Sequence, residues 1–332
     1  MNIDGICTLG NDYVFDQIVA LLNSIEAIYG QKMPVYIYPY DENTDKLAAE
    51  VASRPQVTLY NDAVSMERWD NFAKAVWDTH PTASQIWEKV GSKGYHRFGT
   101  HRRYCAFDGP FDRFIYMDAD TILMSNLDSI FAQLENNDCI VYDFQYKDLT
   151  HVYDVKSNKL RDVFSEERLN REIFCSGFYG SKKDLFPEEK RNKLINYLEK
   201  GEAEILYCMA PDQTLINYMM MRLDCSIYNL ALKVPENKKT GCCVTSSHFE
   251  NKDNILYDKG NRLTYIHYIG ISSQIFKKVC QGENIDFLYR DIFLYYRYYH
   301  NPENLPKFTE KAVYYQQQST LTKKILKKLG LN

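Results

Sequence analysis

The sequence lacks the patterns that mark several large protein classes. Its nine cysteines are scattered along 332 residues without any C-x-x-C spacing, which argues against a zinc site or a disulfide framework. No apolar run approaches the length of a membrane span, and no basic-then-apolar segment precedes Ile3. The net charge of −4 gives no nucleic-acid signature. We therefore expect a cytoplasmic protein in a reducing compartment, without a cleaved signal and with no nucleic-acid partner.

What the chain does have is the composition of an ordinary globular protein with many tyrosines. Hydrophobic residues make up 45% and charged residues 25% of a chain long enough to bury a large core. The 27 tyrosines suit contacts with carbohydrate or nucleotide bases, although tyrosine-rich helix packing explains them equally well.

The first sixty residues alternate between strand and helix patterns. Apolar runs at residues 3–9, 35–38 and 57–60 predict strands, and the segments between them have helical periodicity. This alternation predicts an α/β fold with a mostly parallel, doubly wound sheet. Ligands of such sheets bind at the carboxyl ends of the strands.

Residues 114–123 are the stretch around which we interpret the rest of the chain. An apolar run ends in Asp118, Ala119 and Asp120 and then becomes apolar again. In an extended backbone the two carboxylates point to the same side, and such a buried pair is unfavourable without a cation. Oxygen ligands favour Mg²⁺ or Mn²⁺. Two aspartates solvated in a turn are the alternative interpretation.

Three later motifs carry groups that would complete such a site. Gly177, in an interrupted strand, allows something to approach its backbone closely. Asp212 and Gln213 open a helix; helix capping explains Asp212 as well as a functional role does, but it does not explain Gln213. His267 ends an apolar strand, where it is either a core histidine or a metal ligand.

Residues 96–104 contain five basic or imidazole groups just before the key strand. A solvated basic face is one interpretation of this segment. The other is that one or two of the groups face a diphosphate.

The C-terminal part has a different character. We predict one domain at residues 1–280 and a helical extension at 281–332 that ends in a small basic amphipathic helix. In that last helix Leu321, Ile325, Leu326 and Leu329 face away from four lysines. The pattern suits either a solvated terminal helix or peripheral attachment to the anionic inner face of a membrane.

Five motifs, in the order in which they occur along the chain, resemble the glycogenin-like family of sugar-nucleotide transferases (glycosyltransferase family 8) and its bacterial lipopolysaccharide galactosyl- and glucosyltransferases. The matching motifs are Asn11-Asp12-Tyr13, residues 116–121, Ser176-Gly177, Asp212-Gln213 and residues 267–270. The resemblance covers roughly residues 3–276 and implies a GT-A fold, which is Rossmann-like.

The resemblance also implies roles for individual residues. Thr8 and Asp12 would hydrogen-bond the base and ribose of a nucleotide-sugar, Tyr13 would stack on the base, and Gly270 would let the backbone approach a phosphate. Asp118, Asp120 and His267 would hold Mn²⁺ or Mg²⁺, whereas Asp212 and Gln213 would lie beside the anomeric carbon. The expected donor-binding set also includes Asp118, Ala119 and Arg102.

The sequence departs from the family after Gly270, where Ser273-Gln274-Ile275 replaces Lys-Pro-Trp. Lys277, Lys278 or an arginine of residues 97–103 would then have to contact the phosphate. The implied function is a retaining, metal-dependent hexosyltransferase that uses a UDP-sugar and a glycan or glycolipid acceptor. An inverting transferase, a nucleotidyltransferase and a non-catalytic sugar-nucleotide-binding protein are the alternatives.

Overall fold

A computed structural model describes residues 2–315 of the protein. The predicted amphipathic segment at residues 319–330, and with it the end of the predicted C-terminal extension, lies outside the described residues.

The strands are short, and most are separated by helices. In chain order they are β1 (Asp4–Gly10), β2 (Val35–Pro39), β3 (Val57–Leu59), β4 (Arg113–Met117), β5 (Thr121–Leu123), β6 (Cys139–Val141), β7 (Phe178–Lys182), β8 (Ile227–Asn229), β9 (Glu250–Lys252), β10 (Ile255–Asp258), β11 (Asn261–Arg262), β12 (Tyr265–His267), β13 (Ile285–Asp286) and β14 (Val313–Tyr314).

The helices range from one turn to about four turns. In chain order they are α1 (Phe15–Tyr29), α2 (Asp45–Val51), α3 (Ala63–Asp78), α4 (Ala83–Lys89), α5 (Asp128–Gln133), α6 (Leu160–Val163), α7 (Glu166–Leu169), α8 (Glu188–Glu199), α9 (Pro211–Arg222), α10 (Leu230–Lys233), α11 (Ser273–Cys280) and α12 (Arg290–Arg297).

Seven strands form the central sheet, in the order β3-β2-β1-β4-β7-β6-β8. All neighbouring pairs are parallel except those of β7, which runs antiparallel to both β4 and β6. The predicted α/β class with a mostly parallel sheet is confirmed. The antiparallel strand was not predicted, because a glycine-containing run does not reveal the direction in which a strand enters a sheet.

Helices cover both faces of the sheet, which explains why its strands are apolar runs without alternation. Along β4, Phe114 and Tyr116 belong to one buried cluster with residues of α3, α8 and α9, whereas Ile115 and Met117 belong to a second cluster with residues of α1, α2 and α5. Successive side chains of a strand point to opposite faces, so β4 is buried from both sides.

A two-stranded antiparallel pair, β5 with β12, lies beside the carboxyl end of β4. Its register sets Thr121 opposite His267. This pairing brings a strand from the last third of the chain to the residues that follow β4.

The described C-terminal residues pack onto the rest of the protein. Phe293 of α12 shares a buried cluster with Ala20 of α1 and Ile122 of β5, and the Asn23 amide donates to the Tyr296 carbonyl over 2.7 Å. The boundary at residue 280 remains a prediction. Between residues 2 and 315 no helix has both the length and the apolar composition needed to cross a bilayer.

Candidate active site

A cavity of about 640 Å³ opens at the carboxyl ends of β1 and β4. Asn11 and Tyr13 follow β1 and line one side, whereas Asp118, Ala119 and Asp120 follow β4 and line another. This is the position in which an open α/β sheet binds its ligands. The predicted location of the site is therefore occupied by a cavity of a size that suits a small molecule.

Asp118, Asp120 and His267 each offer a ligand atom, and the three atoms lie within 4.8 Å of one another. The Nε2 atom of His267 is 3.2 Å from a carboxylate oxygen of Asp120. The imidazole is buried, whereas both carboxylates remain partly exposed toward the cavity. Two carboxylates and one imidazole form a donor set that suits Mn²⁺ or Mg²⁺.

The two carboxylates converge through a turn and not along an extended strand. The backbone N–H and the hydroxyl of Thr121 both donate to the Asp118 carbonyl, over 3.0 and 2.6 Å, and this closes the turn between β4 and β5. The Tyr268 N–H donates to the Asp120 carbonyl over 2.9 Å, which joins the turn to the end of β12. Their convergence was predicted, but the turn that produces it was not.

Gly177 explains how the histidine fits against this turn. Its backbone carbonyl accepts from the Asp118 N–H over 2.8 Å. A Cβ atom at this position would lie 2.5 Å from Cε1 of His267 and 2.9 Å from Oδ2 of Asp118. The group that approaches Gly177 is thus the proposed metal-binding histidine itself.

Arg103 lines the cavity and joins the two acidic motifs. One guanidinium nitrogen is 3.2 Å from Asp118 and 3.0 Å from Asp212. Another donates to the carbonyl and the hydroxyl of Ser176, both over 3.0 Å, and the guanidinium lies over the ring of Tyr116. The side chain is only 3% exposed, so its charge is balanced almost entirely by these neighbours.

The electrostatics of the cluster follow from burial and proximity. Burial and the nearby charge of Asp120 raise the pKa of Asp118, although Arg103 opposes them. Burial also acts to raise the pKa of Asp120, but the charge and hydrogen bond of His267 outweigh it, and the pKa is lowered. For His267, burial acts to lower the pKa, and Asp120 outweighs it and raises the pKa well above the ordinary value.

Asp212 and Gln213 lie in the first turn of α9, and Arg103 separates Asp212 from Asp118. The Asp212 carboxylate accepts from the Ser176 hydroxyl over 3.2 Å, and its other oxygen, Oδ1, is buried without a hydrogen-bond partner among the described residues. Burial acts to raise the pKa of Asp212, but Arg103 and Arg97 outweigh it and lower the pKa. The Gln213 amide accepts from the Ser176 N–H and donates to the His151 carbonyl, over 3.2 and 2.8 Å.

The residues predicted at the end of β1 have different environments. Tyr13 lines the cavity and is 56% exposed, so its ring is free to stack. Asp12 caps α2, since its carboxylate accepts from the N–H groups of Lys46 and Leu47, both over 3.0 Å. Thr8 is fully buried, and its hydroxyl has no hydrogen-bond partner in the described chain. Neither Asp12 nor Thr8 is among the residues that line the cavity.

The basic segment divides between structural and cavity-facing groups. The Arg102 guanidinium donates to both oxygens of Asp70, over 3.1 and 2.9 Å, and does not line the cavity. Arg97 and Arg103 do line it. The exposed guanidinium of Arg97 makes no salt bridge or side-chain hydrogen bond within residues 2–315. In this segment Arg97, and not Arg102, therefore has a guanidinium available to a ligand. The difference arises because Arg102 is the arginine that pairs with Asp70.

The turn after β12 brings the N-terminus of α11 to the cavity. Gly270 has a φ of +83°, a conformation that favours glycine, and Ser273, the first residue of α11, lines the cavity. Lys277 and Lys278 lie further along α11, do not line the cavity, and Lys278 pairs with Glu283 over 3.1 Å.

Sequence reasoning missed several residues near the site. Gln17, Tyr40, Asp41 and Asn43 line the cavity, and no pattern in the sequence distinguished them. Asp143, just after β6, is buried; burial raises its pKa to about 7, although hydrogen bonds from the N–H groups of Gln145 and Cys175 act to lower it. A carboxylate at the end of an apolar strand is the signal that would have identified Asp143.

Comparison with known proteins identifies the fold. No protein-family model matches the sequence, and no curated protein matches it. Among solved structures, the bifunctional glycosyltransferase WbbM is similar over 89% of this chain and 50% of its own, with 14% identity and a TM-score of 0.54. Mouse xyloside xylosyltransferase 1 matches 69% of this chain and 85% of its own (12% identity, TM-score 0.48). The galactosyltransferase LgtC, in complex with donor and acceptor sugar analogues, is similar over 83% of this chain and 94% of its own (10% identity, TM-score 0.47).

The similarity to WbbM shows that the chain has a GT-A fold, so the predicted fold class is confirmed. The chain spans about half the length of WbbM.

Proposed function

We propose that the protein is a metal-dependent glycosyltransferase that moves a hexose from a nucleotide-sugar, with UDP as the expected nucleotide, to a glycan or glycolipid acceptor. The single observation that carries this proposal is the group Asp118, Asp120 and His267, whose ligand atoms lie within 4.8 Å of one another. The two aspartates of this group line the 640 Å³ cavity. The GT-A fold, which is also the fold of the glycosyltransferase WbbM, supports it.

The charge balance of the cluster supports a bound cation. Asp118, Asp120 and Asp212 carry three negative charges, whereas the two basic groups in contact with them, Arg103 and His267, supply at most two positive charges. Arg97 acts on Asp212 through its charge but makes no salt bridge with it. The cluster therefore keeps an excess of negative charge beside the cavity, which is unfavourable without a further cation. Mn²⁺ or Mg²⁺ held by Asp118, Asp120 and His267 would supply that charge and stabilise the leaving diphosphate.

The chain's own groups would act on the two ends of the donor. Tyr13 would stack on the base, and the free guanidinium of Arg97 would bind the diphosphate, assisted by the N–H groups at the start of α11. Arg103, held between Asp118 and Asp212, would keep the acidic turn in position. In this assignment Arg97 takes the phosphate-binding role of the lysine that the sequence lacks.

The reaction develops positive charge on the anomeric carbon, which a nearby carboxylate or amide oxygen stabilises. Asp212 lies across Arg103 from Asp118, and neither Asp212 nor Gln213 lines the cavity. We assign these two groups to this role because the family resemblance implies it. We propose retention of anomeric configuration by attack from the face that the diphosphate leaves, with Gln213 orienting the sugar or stabilising the charge.

A thermal-shift screen tests the donor and the metal together, because a ligand that binds only the native state raises the melting temperature. The screen compares UDP-, GDP-, ADP- and CMP-sugars with and without Mn²⁺. We expect UDP-sugars to raise the melting temperature only when Mn²⁺ is present. A shift that does not depend on the metal would contradict the role of Asp118, Asp120 and His267.

Asp120→Asn tests catalysis directly. The variant keeps the size of the side chain but removes a charge from the metal site, so we expect the fold to be retained and transfer to be lost. Asp162→Asn, at an exposed aspartate of α6, is the matched control and should behave like the wild type. Wild-type turnover by Asp120→Asn would reject the proposal. The anomer of the product separates retention from inversion, and release of pyrophosphate would identify a nucleotidyltransferase.

A further inference from the structure

A second cavity, of about 500 Å³, lies between α3, α4 and the segment that follows α4. Aromatic rings form its walls: Trp77 at the end of α3, Trp87 in α4, and Tyr95. The Trp77 and Trp87 rings pack edge to face with centroids 5.2 Å apart, and Tyr95 lies 5.7 Å from Trp87. The Trp87 indole is fixed by a hydrogen bond to the Cys208 carbonyl over 2.8 Å. Trp77 and Trp87 are 6% and 3% exposed, so the cavity meets a small part of each indole beside the half-buried Tyr95 ring.

The rim of this cavity is polar and carries hydrogen-bonding groups that are free. Asp78 accepts from the Tyr95 hydroxyl with one oxygen, over 2.6 Å. Its other oxygen, together with the side chains of Ser84 and Glu88, has no hydrogen-bond partner within residues 2–315. Ser84 and Glu88 are four residues apart in α4, so both point from the same face of the helix toward the cavity.

The charges on the rim restrict what this cavity accepts. Asp78 and Glu88 are both acidic, and among the described residues that line the cavity there is no lysine or arginine. His80 also lines it, and burial lowers the pKa of its imidazole, which favours the neutral form. A phosphate or a nucleotide would therefore be repelled. A neutral ligand with an apolar face for the rings and hydroxyl groups for the carboxylates fits the wall and the rim together, and a sugar ring has both.

A narrow cleft of about 10 Å³, too small to hold a sugar ring, lies between the second cavity and the main one. Trp77 and Tyr95 line both the second cavity and this cleft, whereas Arg97 and Thr100 line both the cleft and the main cavity. Asp212 also lines the cleft. Tyr95 and Arg97 are two residues apart, so only a short segment separates the two cavities.

From these observations we propose that the aromatic cavity binds a neutral saccharide unit of the acceptor, remote from the unit that reacts. That the saccharide belongs to an acceptor rests on the proposed transferase function. That the cavity binds a saccharide depends only on the residues of the cavity.

Tryptophan fluorescence reports directly on this site, because the chain has three tryptophans and two of them line the cavity. Trp69, the third, is fully buried in the core. The full-length protein is titrated, without nucleotide or metal, with methyl glycosides of glucose, galactose and N-acetylglucosamine and with lactose and maltose. We expect at least one of these sugars to cause a saturable change in the emission at millimolar concentration.

Two tyrosine substitutions on α4 make the test specific for the cavity. Ser84→Tyr places a larger side chain at a lining position of the cavity, and we expect it to weaken sugar binding at least about tenfold. Gln85→Tyr is the matched control, because Gln85 is exposed on the same helix and does not line the cavity. It should bind like the wild type. No saturable response to any of the sugars, or an equal response in Ser84→Tyr and the wild type, would overturn the inference.

The readouts separate this inference from the proposed function. Ser84→Tyr should raise the acceptor KM at least about tenfold while the slow hydrolysis of the donor in the absence of acceptor is unchanged. A protein that binds sugars in this cavity but shows no metal-dependent nucleotide binding would refute the transferase proposal alone. A protein that binds and hydrolyses the donor but gives no sugar response would refute the saccharide site alone.

Discussion

The backbone of Gly177 and the imidazole of His267 are so close that a single methyl group would not fit between them. A Cβ atom at residue 177 would lie 2.5 Å from Cε1 and 3.1 Å from Nδ1 of His267. Gly177 immediately precedes β7, whereas His267 is the last residue of β12. This contact joins the central sheet to the two-stranded pair and sets the distance from His267 to Asp118 and Asp120.

Gly177→Ala should therefore weaken metal binding without removing any metal-binding side chain. The new methyl group would push the imidazole and Asp118 apart, and we expect the affinity for Mn²⁺ to fall about 10- to 100-fold, the usual effect of disturbing groups that orient metal ligands. Isothermal titration with Mn²⁺ measures it. Gly180→Ala is the control, because its Cβ would meet its nearest neighbour, Ile115, at an ordinary 3.4 Å. Equal affinities in both variants would show that the contact is unimportant.

Arg103→Met should destabilise the protein strongly. The guanidinium is 3% exposed and balances Asp118 and Asp212, so its removal leaves two carboxylates without their cation. We expect the free energy of unfolding to fall by about 3–5 kcal/mol, measured by urea denaturation. Mn²⁺ should restore part of this loss, because it neutralises Asp118.

The control for Arg103→Met is Arg68→Met. Arg68 pairs with Asp108 but is 38% exposed, so the loss should be about 1 kcal/mol or less. A small effect of Arg103→Met, similar to that of Arg68→Met, would contradict the interpretation of Arg103 as the balancing charge.

Arg97→Asn should weaken donor binding and leave the fold intact. Arg97 is exposed with a φ of +52°, and asparagine adopts this left-handed conformation more readily than most residues. A hydrogen bond to a charged group contributes roughly 1.5–3 kcal/mol, so we expect the donor KM to rise at least about tenfold. Lys277→Asn, on the exposed side of α11, should leave the KM unchanged. If Lys277→Asn raised the donor KM and Arg97→Asn did not, Lys277 and not Arg97 would be the residue that binds the diphosphate.

Asp143→Asn should change how stability depends on pH. The folded-state pKa of Asp143 is about 7, above its ordinary value of 3.8. Because the pKa is raised in the folded state, the carboxyl group contributes to the free energy of unfolding. This contribution is fully present below about pH 3.8 and is lost as the pH rises to about 7. At about 1.4 kcal/mol per pKa unit, the loss amounts to about 4 kcal/mol.

Because asparagine does not titrate, the wild type should lose stability relative to Asp143→Asn between pH 4 and pH 8. Urea denaturation of both proteins across this range measures the difference. Asp162→Asn, which removes an exposed carboxylate, should follow the wild-type profile. Parallel profiles for the wild type and Asp143→Asn would show that Asp143 is ionised throughout.

Local patterns in the sequence predicted much of the fold. The apolar run before Asp118 and the helical periodicity between the first strands depend on short stretches of chain, and the structure agrees with them. The sequence of residues 64–108 also looks helical, and there the structure has α3, α4 and a 3₁₀ helix at Thr100–Phe107, joined by turns. The glycines at 91, 94 and 99, all with positive φ, end the regular helix there.

The candidate site was less predictable, because the partners of its side chains are distant in the sequence. Asp12 and Arg102 belong to motifs that resemble nucleotide-binding residues, yet Asp12 caps α2 and Arg102 pairs with Asp70. Nothing in the local sequence of either residue indicates these partners. Arg103 and Asp118 are separated by a whole strand, and only the sheet brings them together.

The sequence by itself determined that this protein has a mostly parallel α/β sheet and that two carboxylates follow one of its buried strands. Hydrophobic periodicity and the chemistry of a strand end are local, so neighbouring residues are sufficient to specify them. The tertiary structure alone decided that His267 meets Asp120, that Arg103 is shared by Asp118 and Asp212, and that Arg97 stays free. These relationships depend on the pairing of β5 with β12 and on the packing of α9 against the sheet, and contacts between distant segments leave no periodic pattern in the chain.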